Sequence, residues 1–190
     1  MIRSISTFLA LTLSILVFGQ EKNSQKWEKV ISEMTKAKEG DTITYRSKQN
    51  LEWSDFKMTP PPNSNMKAYL ELTFGVFVKK VNYWSGVISI DSYGGMRRDL
   101  SWVNSQQVSQ KLLDYLQLKY EIAHYFAEKS EKEINSKKIN AGNTDKINGI
   151  IEARLSERDK ALNDFDIESD FGNNAEIIEK WKQKLHDGGI

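Results

Sequence analysis

The chain has 190 residues, 39% hydrophobic, 28% charged and 11% aromatic, which is the make-up of one globular domain and excludes a fibrous or disordered chain. Lys and Arg number 27 against 26 Asp and Glu, so there is no overall basic surplus for nucleic acid or anionic lipid, and nucleic acid is not an expected partner. With no cysteine, disulfides, a thiol nucleophile and cysteine-ligated zinc are excluded.

Arg3 precedes an uninterrupted apolar run over residues 8–18, which Gly19, Gln20 and a polar segment follow. A positive start, a short apolar stretch and small residues at Val17 and Gly19 predict a secretory signal peptide over 1–19, cleaved after Gly19. The run falls short of the roughly 20 apolar residues that a membrane-spanning helix needs. The expected product is secreted or periplasmic, has no stable membrane insertion after cleavage, and must be stable through its core alone.

Within the expected N-terminal segment 20–40, Trp27, Val30, Ile31 and Met34 repeat at the spacing of one helix face. The expected domain, 41–187, opens with a strand at 42–45. Leu51, Trp53 and Phe56 form an apolar cluster, and residues 59–65, with three prolines, read as a loop. Residues 67–81 and 83–93 are rich in β-branched and aromatic types and predict a hairpin around Asn82. Tyr93-Gly94-Gly95 then reads as a turn.

After Trp102 the period becomes helical, with Val108, Leu112, Leu116, Tyr120, Ala123 and Ala127 at 3–4 spacing to about Lys137. Residues 140–143 break it. A further helix carries Ile147, Ile150, Ile151, Leu155, Leu162 and Phe165. A last one carries Ile177, Ile178, Trp181 and Leu185 behind the candidate caps Asn173 and Asn174. Strands first and helices second predict an α+β fold, a small antiparallel sheet followed by a helical half.

Few residues carry candidate chemistry. His124, with Glu121 and Glu128 at i−3 and i+4, reads as a surface histidine among acids, or as a metal or hydrolytic centre. His186 sits in a frayed tail. Asp166, Glu168 and Asp170 read as turn carboxylates, a calcium site or an acid–base pair. Arg97-Arg98 reads as a turn dipeptide or an anion grip, and residues 129–138 as a solvated charged helix face. Neither a G-x-S-x-G elbow nor a Gly-rich phosphate loop is present.

Four segments share one resemblance. Leu51, Trp53, Asp55, Phe56 and Pro60 to Pro62 match L-x-W-x-D-F-x-G-x-P in part, and Ser101-Trp102-Val103 matches a step before the main helix. Residues 112–123 stand where that helix carries H-E-Q-x-H. Residues 165–172 stand where Y-D-x-E-T-x-H-G occurs, with Trp181 downstream. In these the chain resembles a family of bacterial secreted domains of unknown function with the marks of zincin-like, zinc-dependent peptidases.

The resemblance implies a zincin-like half with a zinc site on the main helix. Tyr115 and Lys119 stand at the imidazole positions, Leu116 at the general base and Phe171 at the third ligand. A phenol, an ammonium, an alkyl group and a phenyl ring cannot assemble that chemistry. A catalytically inactive relative follows, with no cofactor and no metal. Its expected partner is a peptide or protein segment in the former cleft, where Tyr115 and Phe171 fill the metal space beside Leu116. The alternatives are a hydrolase relocated around His124, Glu121 and Glu128, or a structural, complex-assembly domain.

Overall fold

The structure, a computed structural model, describes residues 40–190. The expected signal peptide and the helix predicted from Trp27 to Met34 lie outside the described residues. The fold is α+β. Strands β1 (Thr42–Thr44), β2 (Ala68–Tyr69), β3 (Leu72–Val81), β4 (Ile88–Arg97) and β5 (Trp102–Val103) precede helices α1 (Gln110–Ser136), α2 (Thr144–Glu168) and α3 (Ala175–His186). An antiparallel sheet in the order β1-β4-β3 carries α1 on one face, and β2 and β5 form a separate antiparallel pair.

Alternation sets the faces. In β4, Ile88, Ile90, Ser92, Gly94 and Met96 are buried toward α1, where Ser92 Oγ donates to Ala127 O at 2.5 Å. On α1, Leu116, Tyr120, Ala123, Ala127, Ser130 and Ile134 are buried at 3–4 spacing. Ser109 starts this helix by accepting from the Leu112 N–H through its hydroxyl.

Gly94 and Gly95 lie inside β4, not in the predicted turn. A Cβ on Gly94 would stand 2.5 Å from the Ala123 carbonyl carbon, so the glycine lets the α1 backbone lie directly on the strand. The hairpin turn is at residues 82–87, around Asn82 as expected. Asn82 Oδ1 accepts from the N–H groups of Trp84 and Ser85, both at 3.0 Å, and Gly86 takes a φ of +67°. This local hydrogen bonding holds Tyr83 to Val87 out of the predicted second strand. The predicted strand 67–81 is likewise divided, because at Glu71 the backbone N–H turns to Ser101 Oγ at 2.9 Å.

The outer edge of β4 is closed group by group. Ile88 N donates to Ile139 O at 2.8 Å and Tyr45 N to Gly94 O at 3.0 Å. Between them, Asn135 and Glu131 of α1 serve Ile90 and Ser92. Residues 129–138 are therefore not simply a solvated face, for Ser130 and Ile134 are fully buried. The main core joins Leu51 and Phe56 to Leu112, Leu116, Tyr120, Phe165 and Trp181. A second cluster at the far end joins Ile88, Ile90, Ile134, Ile139 and Ile147.

Candidate functional site

Tyr115 and Lys119 lie one turn apart on α1 and so share a face. Both reach Asp166 in the last turn of α2. Tyr115 donates its hydroxyl hydrogen to Oδ1 and Lys119 Nζ donates to Oδ2 at 2.7 Å. The Lys119–Asp166 pair is only about one-fifth exposed, which makes the hydrogen bonds matter more than they would at a surface. Burial, and then the bond to Asp166, pushes the Tyr115 phenol far above its ordinary value, so it is a neutral donor at any physiological pH.

Aromatic rings extend the contact. Tyr115 packs on Phe165 with centroids 5.3 Å apart, and Phe165 packs on Trp181 at 5.4 Å. Trp181 Nε1 donates to Glu168 Oε2 at 2.7 Å. Asp166 thus ties α2 to α1, and Glu168 ties α2 to α3. Asp170 instead accepts from Asn173 within the connecting turn at 3.2 Å.

Leu116 is buried, in the core cluster that also holds Tyr115, Phe165 and Trp181. Phe171 does not join this group as expected: it is 62% exposed and fills no space beside Tyr115. Asp170, Phe171 and Gly172 all take positive φ, at 50°, 50° and 83°, and this left-handed run turns Phe171 outward. Gly172 takes the inner place, where a Cβ would stand 2.7 Å from Tyr115 Cγ. The groups that Tyr115 touches therefore come from α2 and the turn after it, with no role for Phe171 in filling a metal space.

His124 is not a surface residue. Its ring stacks on Tyr45 at 4.4 Å with 19° between planes, and its side chain is 14% exposed. Nε2 lies 3.6 Å from Glu128 Oε1, while Nδ1 is buried with no hydrogen-bond partner among the described residues. Burial holds the imidazole below its ordinary value against the opposing pull of Glu128. Glu121 accepts from Gln117 Nε2 at 2.7 Å. Among the described residues no group of three His, Asp or Glu is arranged to hold a metal ion.

The arginine pair is engaged within the fold. Arg97 chelates Asp99 and holds its carboxyl at about 2, while Arg98 pairs with Asp41. His186 is 90% exposed near Asp187. Asp55, part of the first matched segment, is almost fully buried and receives Lys48 Nζ at 2.7 Å and the Glu52 N–H at 2.9 Å. The same loop docks on α1, where Leu51 N donates to Gln117 Oε1 at 2.8 Å. Asp55 and Asp166 are two of the polar cross-links of the core. A carboxylate three residues after a helix-starting position signals the first, whereas no local pattern signals the partners of the second.

In comparison with known proteins, the chain matches no family model, no curated protein and no solved structure.

Proposed function

We propose that this chain is a secreted or periplasmic binding domain, a catalytically inactive relative of the zincin-like peptidases that its sequence resembles. The observation that carries this reading is the convergence of Tyr115 and Lys119 on Asp166. The Lys119 ammonium supplies the positive charge that a metal would bring, and Asp166 neutralises it. Leu116, at the general-base position, has no proton to exchange. A hydrolase at His124 has less support, because Tyr45 covers the ring and Gln117 engages Glu121.

The ligand class is an extended peptide or protein segment, and the free edge of β3 is the place for it. The outer edge of β4 is already closed by α1, by residue 139 and by the chain after β1. β3 has a strand partner on one side only among the described residues. A peptide added there gains main-chain hydrogen bonds, with alternate side chains setting preference. The irregularity between Val78 and Lys80, with exposed Lys79 and Lys80, disfavours pairing of two copies of the chain.

Two measurements test the reading. After dialysis at neutral pH the purified protein is expected to hold no stoichiometric zinc. A pool of extended peptides is expected to shift the backbone amide NMR signals of β3 in preference to those of α2. Stoichiometric zinc would overturn the inactive-relative reading, and shifts confined to α1 and α2 would overturn the choice of β3.

A further inference from the structure

The β3–β4 turn holds two of the most exposed aromatic rings of the described residues. Tyr83 is 81% and Trp84 93% exposed, and the rings meet edge to face with centroids 5.6 Å apart. The backbone beneath them is held firmly. Besides the two bonds to Asn82 Oδ1, Gly86 N donates to Asn82 O at 2.8 Å, Ala141 N to Gly86 O at 2.9 Å, and Asn140 Nδ2 to Ser85 O at 2.8 Å. Burying such rings would remove roughly 150–250 Å² each from water, yet this rigid turn keeps them in solvent.

Cations gather at the same end. Lys80 leads into the turn, Lys138 lies in the α1–α2 loop that braces it, and Lys146 is in the first turn of α2. All three are exposed, and none forms an ion pair with another described residue, whereas nearby acids are occupied: Asp91 by Lys79, and Glu133 by Lys137 and Arg154. Against them stands the exposed Asp145. Lys137, Lys138, Lys146 and Arg154 also line an open cleft of about 530 Å³ between α1 and α2. Asn140 borders that cleft and braces the aromatic turn, so the cleft and the turn adjoin.

We propose that this end of the molecule docks on an anionic lipid surface, with Tyr83 and Trp84 in the headgroup region and Lys80, Lys138 and Lys146 against lipid phosphates. An indole or phenol is satisfied at that depth because its apolar ring and its polar N–H or O–H meet different media. Each lysine near an anionic surface strengthens attachment by roughly fivefold. The balanced charge of the whole chain does not oppose this, since a charged surface acts over a Debye length of about 10 Å and meets the local cluster. A neutral glycan would use the rings and leave the lysines without a role. No described helix is long and apolar enough to cross a membrane, and docking of this kind needs none.

The test uses the full chain with vesicles of phosphatidylcholine and phosphatidylglycerol in a roughly 7:3 ratio, compared with phosphatidylcholine alone. So that any attachment through the apolar run at residues 8–18 does not count, the readout is local. Brominated acyl chains quench an inserted indole, and subtracting the signal of Trp84→Phe isolates Trp84. The expected result is Trp84 quenching on the anionic vesicles that is at least about fivefold weaker on neutral ones. A combined Lys80→Glu, Lys138→Glu, Lys146→Glu variant with unchanged circular dichroism and urea midpoint should lose it to the same extent. Equal quenching on both vesicles, quenching retained in the folded lysine variant, or none on either vesicle would overturn the proposal.

Discussion

Asn135 serves Ile90 as a neighbouring strand would: its Oδ1 accepts from the Ile90 N–H and its Nδ2 donates to the Ile90 carbonyl, both at 2.9 Å. Ile90 is 1% exposed, so neither backbone group has water to fall back on. Two residues along, Glu131 Oε2 accepts from Ser92 N at 2.8 Å and also pairs with Arg46. Helix α1 thus contributes polar side chains to the edge of β4 as well as apolar ones to its face, and β3, among the described residues, is the long strand with a strand partner on one side only.

Asn135→Leu keeps the size of the side chain and removes both bonds, leaving a buried donor and a buried acceptor unpaired. The expected loss is about 2–4 kcal/mol, read from urea unfolding. Asn135→Asp keeps the acceptor alone and should fall between the parent and Asn135→Leu. A midpoint for Asn135→Leu equal to the parent's would show that the edge of β4 is satisfied in some other way.

Two glycines in regular elements should respond in opposite directions to alanine. At Gly94 the new methyl meets the α1 backbone at Ala123, and a backbone cannot step aside as a side-chain tip can. Gly94→Ala should cost about 3 kcal/mol or more. Gly149, inside α2, has open space where an alanine methyl would stand, with nothing within 4 Å. Gly149→Ala should therefore stabilise by about 0.5–1 kcal/mol. Equal effects at the two sites would contradict the close approach of α1 to β4.

The hydrophobic periods make the helices and the main hairpin legible, because one-sided burial writes a period into any regular element. Gly94-Gly95 reads as a turn in the sequence because composition cannot separate a glycine needed for positive φ from one needed for close approach. Gly94 has no positive φ and serves the second purpose. Spacing places Tyr115 and Lys119 on one face, but Asp166 lies 51 residues from Tyr115 and no local pattern announces such a partner. The inner place beside Tyr115 belongs to Gly172 and not to its neighbour Phe171, in a turn whose three positive φ values reverse the side-chain direction from one residue to the next.

His124 should make stability depend on pH. Its folded pKa lies below the ordinary 6.5 because burial opposes the cation, with Arg46 and Lys132 adding to that and Glu128 and Glu131 opposing it. As pH falls, the unfolded chain therefore takes up the proton first. The stability from this group is full above 6.5, declines as pH drops from there through the depressed value, and declines no further below it. His124→Phe keeps a ring against Tyr45, removes the buried Nδ1, and should flatten that part of the urea-midpoint profile, which begins as pH falls through about 6.5. A ring-proton titration of His124 by NMR at or above 6.5 would contradict the buried placement.

Zinc binding tests how Tyr115 and Lys119 are arranged. Writing histidine or glutamate into all four positions of the zincin-like pattern is not the right experiment on this backbone. Leu116→Glu would place an unpaired carboxylate at a position 2% exposed, and Phe171→His would put an imidazole in solvent. Tyr115→His with Lys119→His needs neither, because Asp166 already stands where both side chains reach. The two positions are about 6 Å apart along the helix axis. Imidazole is shorter than phenol or lysine, and a metal with ligand bonds of about 2.0–2.2 Å on each side spans the difference. Removing Lys119 also leaves the Asp166 charge free for a cation. The double variant is expected to bind zinc by calorimetry at neutral pH, the parent not to, and the double variant with Asp166→Ala to lose the binding. Proton release on binding should accompany it, since both imidazoles must be neutral to coordinate. A folded double variant with no more zinc uptake than the parent would show that positions 115, 119 and 166 do not converge on a single point.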